Sequence, residues 1–474
     1  MKRPILLIIM SILVGIGFAV SGDIEPTYRT TAFEITSKSV DHTDITFTLP
    51  QFEIKEMEAA GQTYHRVMLG EAGSTMESGL PELPTLSMTL AIPRQGSVNV
   101  EAMGYEQNLI TQFNAYPLQQ GQEYESPKSF VKNADYYASG SLYPQAAVEY
   151  GDPVILRDFR IINIQVNPFS YDPQTQELVV RQSVDLRVNY TSEPGINEMQ
   201  GELLSVSPAF ANIYESMILN FDDYRHQMYS NVPPRYLIIY GQNSDPNFTT
   251  ALNEYVLWKR QKGADVDIAS TASGEAGSST TSIKNYILGR YNDPATRPDF
   301  IILIGDTGGS YTIPTFQVSG GAGDYPYTHL DGNDGLGDVF IGRISVENLS
   351  QLQLLFAKIY LYERDINVAT ADWLNRILLV ADWSPSGIST VYTSKYILER
   401  ALYTNPDYTF TELYGSNPSA TEANAAINQG VGFHSYRGYI GMSGWSPSSS
   451  ALFNGFRLLH AIILTCSTGN FDST

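Results

Sequence analysis

Leu459-His460-Ala461-Ile462-Ile463-Leu464-Thr465-Cys466-Ser467-Thr468-Gly469-Asn470 decides how this chain is read. Residues 461–464 are a short, uncharged apolar run, the pattern of a buried strand in a parallel sheet. Thr465 and Cys466 follow where that strand should end, and Ser467, Thr468, Gly469 and Asn470 supply turn chemistry. The one cysteine of the chain therefore falls at the carboxyl end of a core strand, the edge at which open α/β sheets bind ligands. Its other reading is a small buried residue, since free cysteine packs as a hydrophobe.

The start of the chain gives a second reason to weigh that thiol. Lys2 and Arg3 precede an apolar run over residues 5–20, short for a membrane span. Ala19 and Ser21 are small residues spaced for signal peptidase. Residues 1–21 are thus expected to be a signal peptide and the mature protein to be exported, secreted or on the cell surface, with no stable membrane span. An uncleaved anchor is the alternative. A single cysteine in an exported protein cannot close an internal disulfide, so it is a reactive thiol or an intermolecular link. The net charge of −21, from 50 acidic and 29 basic side chains, argues against nucleic acid or an anionic membrane as partner.

The rest of the chain divides in two. Residues 22–206 form the β-rich part, with alternating runs at 44–48, 64–69, 97–103, 161–166 and 178–188. Turn clusters at 173–175 and 120–122 separate such runs. The expectation is a β-sandwich without chemistry of its own. Residues 207–234 form a helix and linker: Ser207-Pro208 caps a helix whose apolar face is Phe210, Ile213, Tyr214, Met217 and Ile218. The linker at 222–234 is polar and ends in Pro233-Pro234. From 235 to 474 strands alternate with helices, among them a helix over 250–262, a strand over 300–304 and a helix over 349–365, which predicts a mostly parallel sheet with helices on both faces. Two loops should then reach the edge near Cys466. One is the glycine-rich Arg437-Gly438-Tyr439-Ile440-Gly441-Met442-Ser443-Gly444-Trp445, and the other is residues 306–338.

Several motifs in order resemble the gingipain family of cysteine peptidases, in the clan that includes caspases. Leu80-Pro81-Glu82-Leu83-Pro84, Leu90-Ala91-Ile92-Pro93 and residues 207–220 look like that family's prodomain. Ile304-Gly305-Asp306, Ile313-Pro314 and Asp338-Val339-Phe340-Ile341-Gly342-Arg343 look like its catalytic domain. The resemblance implies a secreted zymogen in which a β-sandwich prodomain masks an α/β caspase-like domain, with protein or peptide substrates. Cys466 would be the nucleophile, attacking a peptide carbonyl to give an acyl-enzyme that water hydrolyses. Gly438 would supply backbone N–H to the oxyanion, Asp382 would orient an imidazole or simply cap a helix, and Trp445 would contact substrate.

Two departures stand beside the resemblance. The family's dyad histidine position is occupied by Tyr439, and a phenol, with an ordinary pKa of about 10, is a poor base at neutral pH. His434 is the candidate replacement base if a bulge brings it to the strand end; His329 and His460 are further off. The chain also stops eight residues after Cys466, where the family's domain continues, so the peptidase domain is expected to be C-terminally incomplete. No cofactor is required for catalysis. The loop Asp331-Gly332-Asn333-Asp334-Gly335-Leu336-Gly337-Asp338 offers Asp331, Asn333, Asp334 and Asp338 to a structural Ca²⁺, or is an acidic solvated turn. The enzyme reading is a cysteine endopeptidase. The alternative, from the loss of the dyad histidine, is a non-catalytic relative that binds at the cell surface. Residues 386–394 carry no acid, so a pocket for basic residues is not expected.

Overall fold

The computed structural model describes residues 32–70, 72–119, 130–203, 206, 208–227, 232–318, 321–383, 389–440, 451–466, 468 and 471. The signal-peptide expectation, the 120–122 turn, Ser207 and Trp445 lie outside these residues.

The amino-terminal part contains β1 (Phe33–Lys38), β2 (His42–Thr48), β3 (Glu53–Ala59), β4 (Gln62–Met68), β5 (Gly73–Ser74), β6 (Pro84–Ala91) and β7 (Val98–Ile110). A short helix α1 (Ala134–Ser139) precedes β8 (Val148–Tyr150), β9 (Val154–Leu156), β10 (Phe159–Val166), β11 (Phe169–Asp172) and β12 (Glu177–Tyr190). Two antiparallel sheets result. One runs β1-β2-β12-β11 with β7 along the other side of β12; the second runs β5-β6-β10-β8 with β9 also on β10. Alternation explains why they stack. Ile45 and Phe47 of β2 and Val184, Leu186 and Val188 of β12 point inward, as do Met88 and Leu90 of β6 and Ile162 and Ile164 of β10. All belong to one apolar cluster, so burial of a single face per sheet supplies the core.

Helix α2 (Pro208–Met217) covers the outer face of the second sheet, with Phe210 and Tyr214 packed on Ala91, Phe159 and Ile161. After it, the Asn220 side chain pairs with the backbone of Ala91, accepting its N–H and donating to its carbonyl, both at 2.9 Å. The amide thus continues the ladder where the strand ends, and ties residues 208–221 to the β part rather than to a free linker. Phe221–Gln227 is a 3-10 turn with Asp222, Asp223 and Arg225 exposed.

The remaining elements alternate. They are β13 (Arg235–Tyr240), α3 (Pro246–Gln261), β14 (Asp265–Ser270), α4 (Thr280–Asn292), β15 (Phe300–Ile304), the hairpin β16 (Phe316–Val318) and β17 (Gly321–Gly323), and β18 (Phe340–Ile344). Then come α5 (Leu349–Glu363), β19 (Arg376–Asp382), α6 (Ser389–Thr404), β20 (Thr409–Gly415), α7 (Ala420–Gln429), β21 (Phe433–Ile440) and β22 (His460–Cys466). Helix α3 begins at Pro246 because Asp245 caps it, accepting the N–H of Asn247 at 2.9 Å. The single sheet expected from sequence is instead two four-stranded parallel sheets, β14-β13-β15-β18 and β20-β19-β21-β22. The connection through α5 carries the chain from one to the other. β19 is buried from Ile377 to Asp382 and forms the middle of the second sheet.

Candidate active site

Cys466 is the last residue of β22 and its side chain is exposed. Thr465 and Cys466 belong to the strand itself, not to the turn after it. Register fixes its neighbours. Ala381 of β19 pairs with Arg437 of β21, and Arg437 with Leu464 of β22. Beyond that level the β21–β22 register shifts, and the next pair is Ile440 with Cys466. β21 thus spends one residue more than β22 to reach the edge, a bulge at Gly438–Tyr439, the device by which strands re-aim side chains near active sites. The Arg437 guanidinium donates to the carbonyls of Gly438 and Leu464, at 2.6 and 3.1 Å, across the irregular step. A Cβ at Gly438 would lie 2.8 Å from the buried Tyr436 ring, so glycine is what fits there.

Asp382 ends β19, one residue past the Ala381–Arg437 level. It is fully buried and accepts the N–H of Asn417 at 3.2 Å, in the turn after β20. Asp382, Gly438 and Cys466 therefore sit on three adjacent strands at one carboxyl edge, Asp382 and Gly438 within their strands and not in the loops after them.

No histidine of the α/β part shares that edge. His434 is the second residue of β21 and pairs with Ala461, five residues before Cys466, or about 16 Å along the strand. Its ring is fully buried and shares a hydrogen bond of 3.2 Å with the Leu378 carbonyl. Burial pushes its pKa down to about 4. The bulge lies beyond His434 and does not move it, so the replacement-base expectation is corrected. His460 opens β22 and packs edge-on against Tyr362, 4.7 Å between ring centres. His329 is followed by Leu330, whose N–H donates to Asp338 at the amino end of β18. It sits at the wrong end of the other sheet.

The acidic loop does not fit a calcium ion. Asp338 is fully buried, and its carboxylate accepts N–H groups from Leu330, Asp331 and Arg157 at 2.8, 2.8 and 3.3 Å. Burial, against those donors, pushes its pKa up to about 6. Asp334 accepts from Ile155 and Leu336. These carboxylates are engaged by backbone amides, and among the described residues no three acidic, histidine or cysteine side chains gather around a common point.

Comparison with known proteins follows the same division of the chain. The model of peptidase family C25 matches residues 229–474, and that of the C25 propeptide matches residues 29–229. The chain belongs to peptidase family C25. It is similar to Lys-gingipain of Porphyromonas gingivalis, 29% identical over 502 residues, covering 99% of this chain and 28% of that protein. It is similar to gingipain R1 of the same organism, 24% identical over 479 residues, covering 97% of this chain and 47% of that protein. The chain thus spans between about a quarter and a half of these relatives. Among solved structures, a complex of Porphyromonas gingivalis RgpB pro- and mature domains matches 41% of this chain and 100% of its own, at 22% identity and a TM-score of 0.37.

Within this C25 chain, two contacts were missed by sequence reasoning. Arg343, in a motif read only for its resemblance, is buried and forms a two-pronged ion pair with Asp324, each bond 2.7 Å. It also donates to the carbonyls of Gly305, Ile313 and Pro314. One guanidinium thereby shapes the 306–338 loop, and it stacks 5.0 Å from the Phe471 ring, five residues past Cys466. The second set joins the C25 propeptide, which the resemblance implies is a mask, to the peptidase domain. The propeptide's described contacts run to Tyr291 and to residues 297–299 and 333–340, ahead of β15 and β18; residues 120–129 and 441–450 lie outside the described residues. Those strand starts carry the acids that attract the propeptide's Arg157.

Proposed function

We propose that this chain is an exported, gingipain-like cysteine endopeptidase made as a zymogen, with Cys466 as nucleophile. The observation that carries this is an exposed thiol at the carboxyl edge of a parallel sheet, flanked by the Gly438 bulge and the buried Asp382, in a C25 chain. The thiolate would add to a substrate carbonyl, expel the amine, and leave an acyl-enzyme for water to hydrolyse. The Gly438 N–H is the nearby backbone donor for the oxyanion in this reading. The test is hydrolysis of denatured protein by the full chain after cutting within residues 228–231. Activity abolished in Cys466→Ala supports the proposal; equal activity in that variant refutes it. Peptides with uncharged and basic residues before the cut bond should be cleaved at similar rates, whereas strict Arg or Lys dependence would contradict the reading of residues 386–394.

The placement of His329, His434 and His460 favours a second reading. With Tyr439 at the dyad position and no imidazole supplied by the α/β histidines, the chain would be a non-catalytic relative that retains the groove for binding. Intact substrate peptides that bind the cut protein without being hydrolysed would support it.

A further inference from the structure

The contacts between propeptide and peptidase domain converge on one hairpin tip. β9 and β10 are joined by Arg157 and Asp158, both nearly fully buried. Arg157 has φ 50, a left-handed conformation that non-glycine residues seldom adopt. Its guanidinium donates to the carbonyls of Pro298 and Asp338 at 2.9 and 2.8 Å and to the Asp299 carboxylate at 2.9 Å. It also lies 4.4 Å over the Phe210 ring. Asp158 answers from the same turn, accepting from Arg297 at 2.9 Å and from the Tyr214 hydroxyl at 2.8 Å. The Arg157 carbonyl accepts from Arg297 and Tyr291. The propeptide thus gives a cation to a peptidase acid, and an anion to a peptidase cation, within two residues. Around them Ile155 N–H donates to Asp334, Asn333 N–H donates to Asn197, and Phe210 stacks on Phe340 at 4.5 Å.

Buried ions are tolerated only where each is paired and its remaining donors are satisfied. Arg157 and Asp158 also lie 3.7 Å apart within the hairpin, but their partners Asp299 and Arg297 are supplied only when the two parts meet in this register, so a displaced docking strands charge in an apolar setting. We infer that the Arg157–Asp158 tip is the anchor that holds the propeptide on the peptidase domain, with residues 297–299 and 331–338 as its receptor. The receptor lies at the amino ends of β15 and β18, whereas Cys466 ends a strand of the second sheet at its carboxyl edge. Holding the parts together and governing access to the thiol are therefore tasks of different surfaces. The inference rests on the propeptide–peptidase division, and its test reads association, so it stands or falls apart from hydrolysis.

The experiment places a site-specific protease sequence at residues 228–231 of the full chain, cuts it, and measures association of the two pieces by sedimentation. The wild-type pieces should co-sediment at micromolar concentration. Arg157→Ala should weaken association at least about 100-fold, because it takes the guanidinium away from the buried Asp299 carboxylate. Asp299→Asn, which leaves the hairpin unaltered, should weaken it at least about tenfold and decides the matter if the Arg157 variant does not fold. Lys38→Ala, which removes an exposed ion pair with Asp223 inside the propeptide piece, should leave it unchanged. Separation of the wild-type pieces on cutting, or wild-type association in Asp299→Asn, would overturn the proposal.

Discussion

Tyr439, which the resemblance to gingipains sets at their dyad histidine, poses the sharpest single-residue question in this chain. Its place on the bulge beside the Ile440–Cys466 pair follows from register. Restoring a group that titrates near neutrality should restore a proton acceptor for the thiol. Tyr439→His is expected to alkylate at Cys466 at least about tenfold faster at pH 6 than wild type, followed by mass spectrometry. Unchanged rates would show that position 439 does not serve the thiol. His434 gives the complementary test. The folded state holds it near pKa 4, against about 6.5 in an unfolded chain, so the unfolded state binds the extra proton. Its contribution to stability is complete above about pH 6.5 and is lost as pH falls toward 4, about 3 kcal/mol in all. His434→Gln should flatten the fall in urea stability between pH 6.5 and 4 while leaving Cys466 alkylation unchanged. A slowed alkylation would reinstate His434 as a base.

At the scale of elements, periodicity exposed most of the α/β part. The apolar run at 300–304 is β15 as it stands, and the helix read over 349–365 is α5, shorter by two residues at its end. α3 starts four residues before the apolar spacing begins, and Asp245-Pro246 was the overlooked start signal. The division into two sheets left no trace in sequence, because a strand–helix–strand alternation looks the same whether the next strand joins the old sheet or opens a new one. The bulge was equally hidden: the glycine at 438 announced an irregular backbone, but only pairing shows that it lies inside the strand. Arg343 links these elements through hydrogen bonds up to 38 residues away in the chain and through the more distant Phe471 ring, so spacing could not reveal it. Arg343→Ala should cost about 3–5 kcal/mol, since it leaves Asp324 buried without its partner. Guanidinium denaturation measures it; a loss below about 1 kcal/mol would mean that the 306–338 loop holds its shape without that pair.

At the scale of the molecule, the order of β part, helix and α/β part was legible, and so was the position of the thiol. The docking of the two parts was not. Arg157-Asp158 reads as any hairpin turn, and its peptidase-domain partners lie 134 to 181 residues on, ahead of a strand and in the acidic loop. The acidic loop illustrates why. Aspartates around glycines satisfy either a cation or backbone amides, and the choice depends on which N–H groups tertiary structure delivers, here those of Leu330, Asp331 and Ile155. In the proposed reading Cys466 is the nucleophile of a C25 peptidase, and one labelling measurement tests it. A peptidyl acyloxymethyl ketone at pH 6 is offered to the folded chain cut within residues 228–231, the urea-unfolded chain and the cut Cys466→Ala variant. The account predicts attachment to folded wild type at Cys466, at least about tenfold faster than to the unfolded chain, and none in Cys466→Ala. Equal labelling of folded and unfolded chains would mean that the fold contributes nothing to this thiol, and would contradict the account.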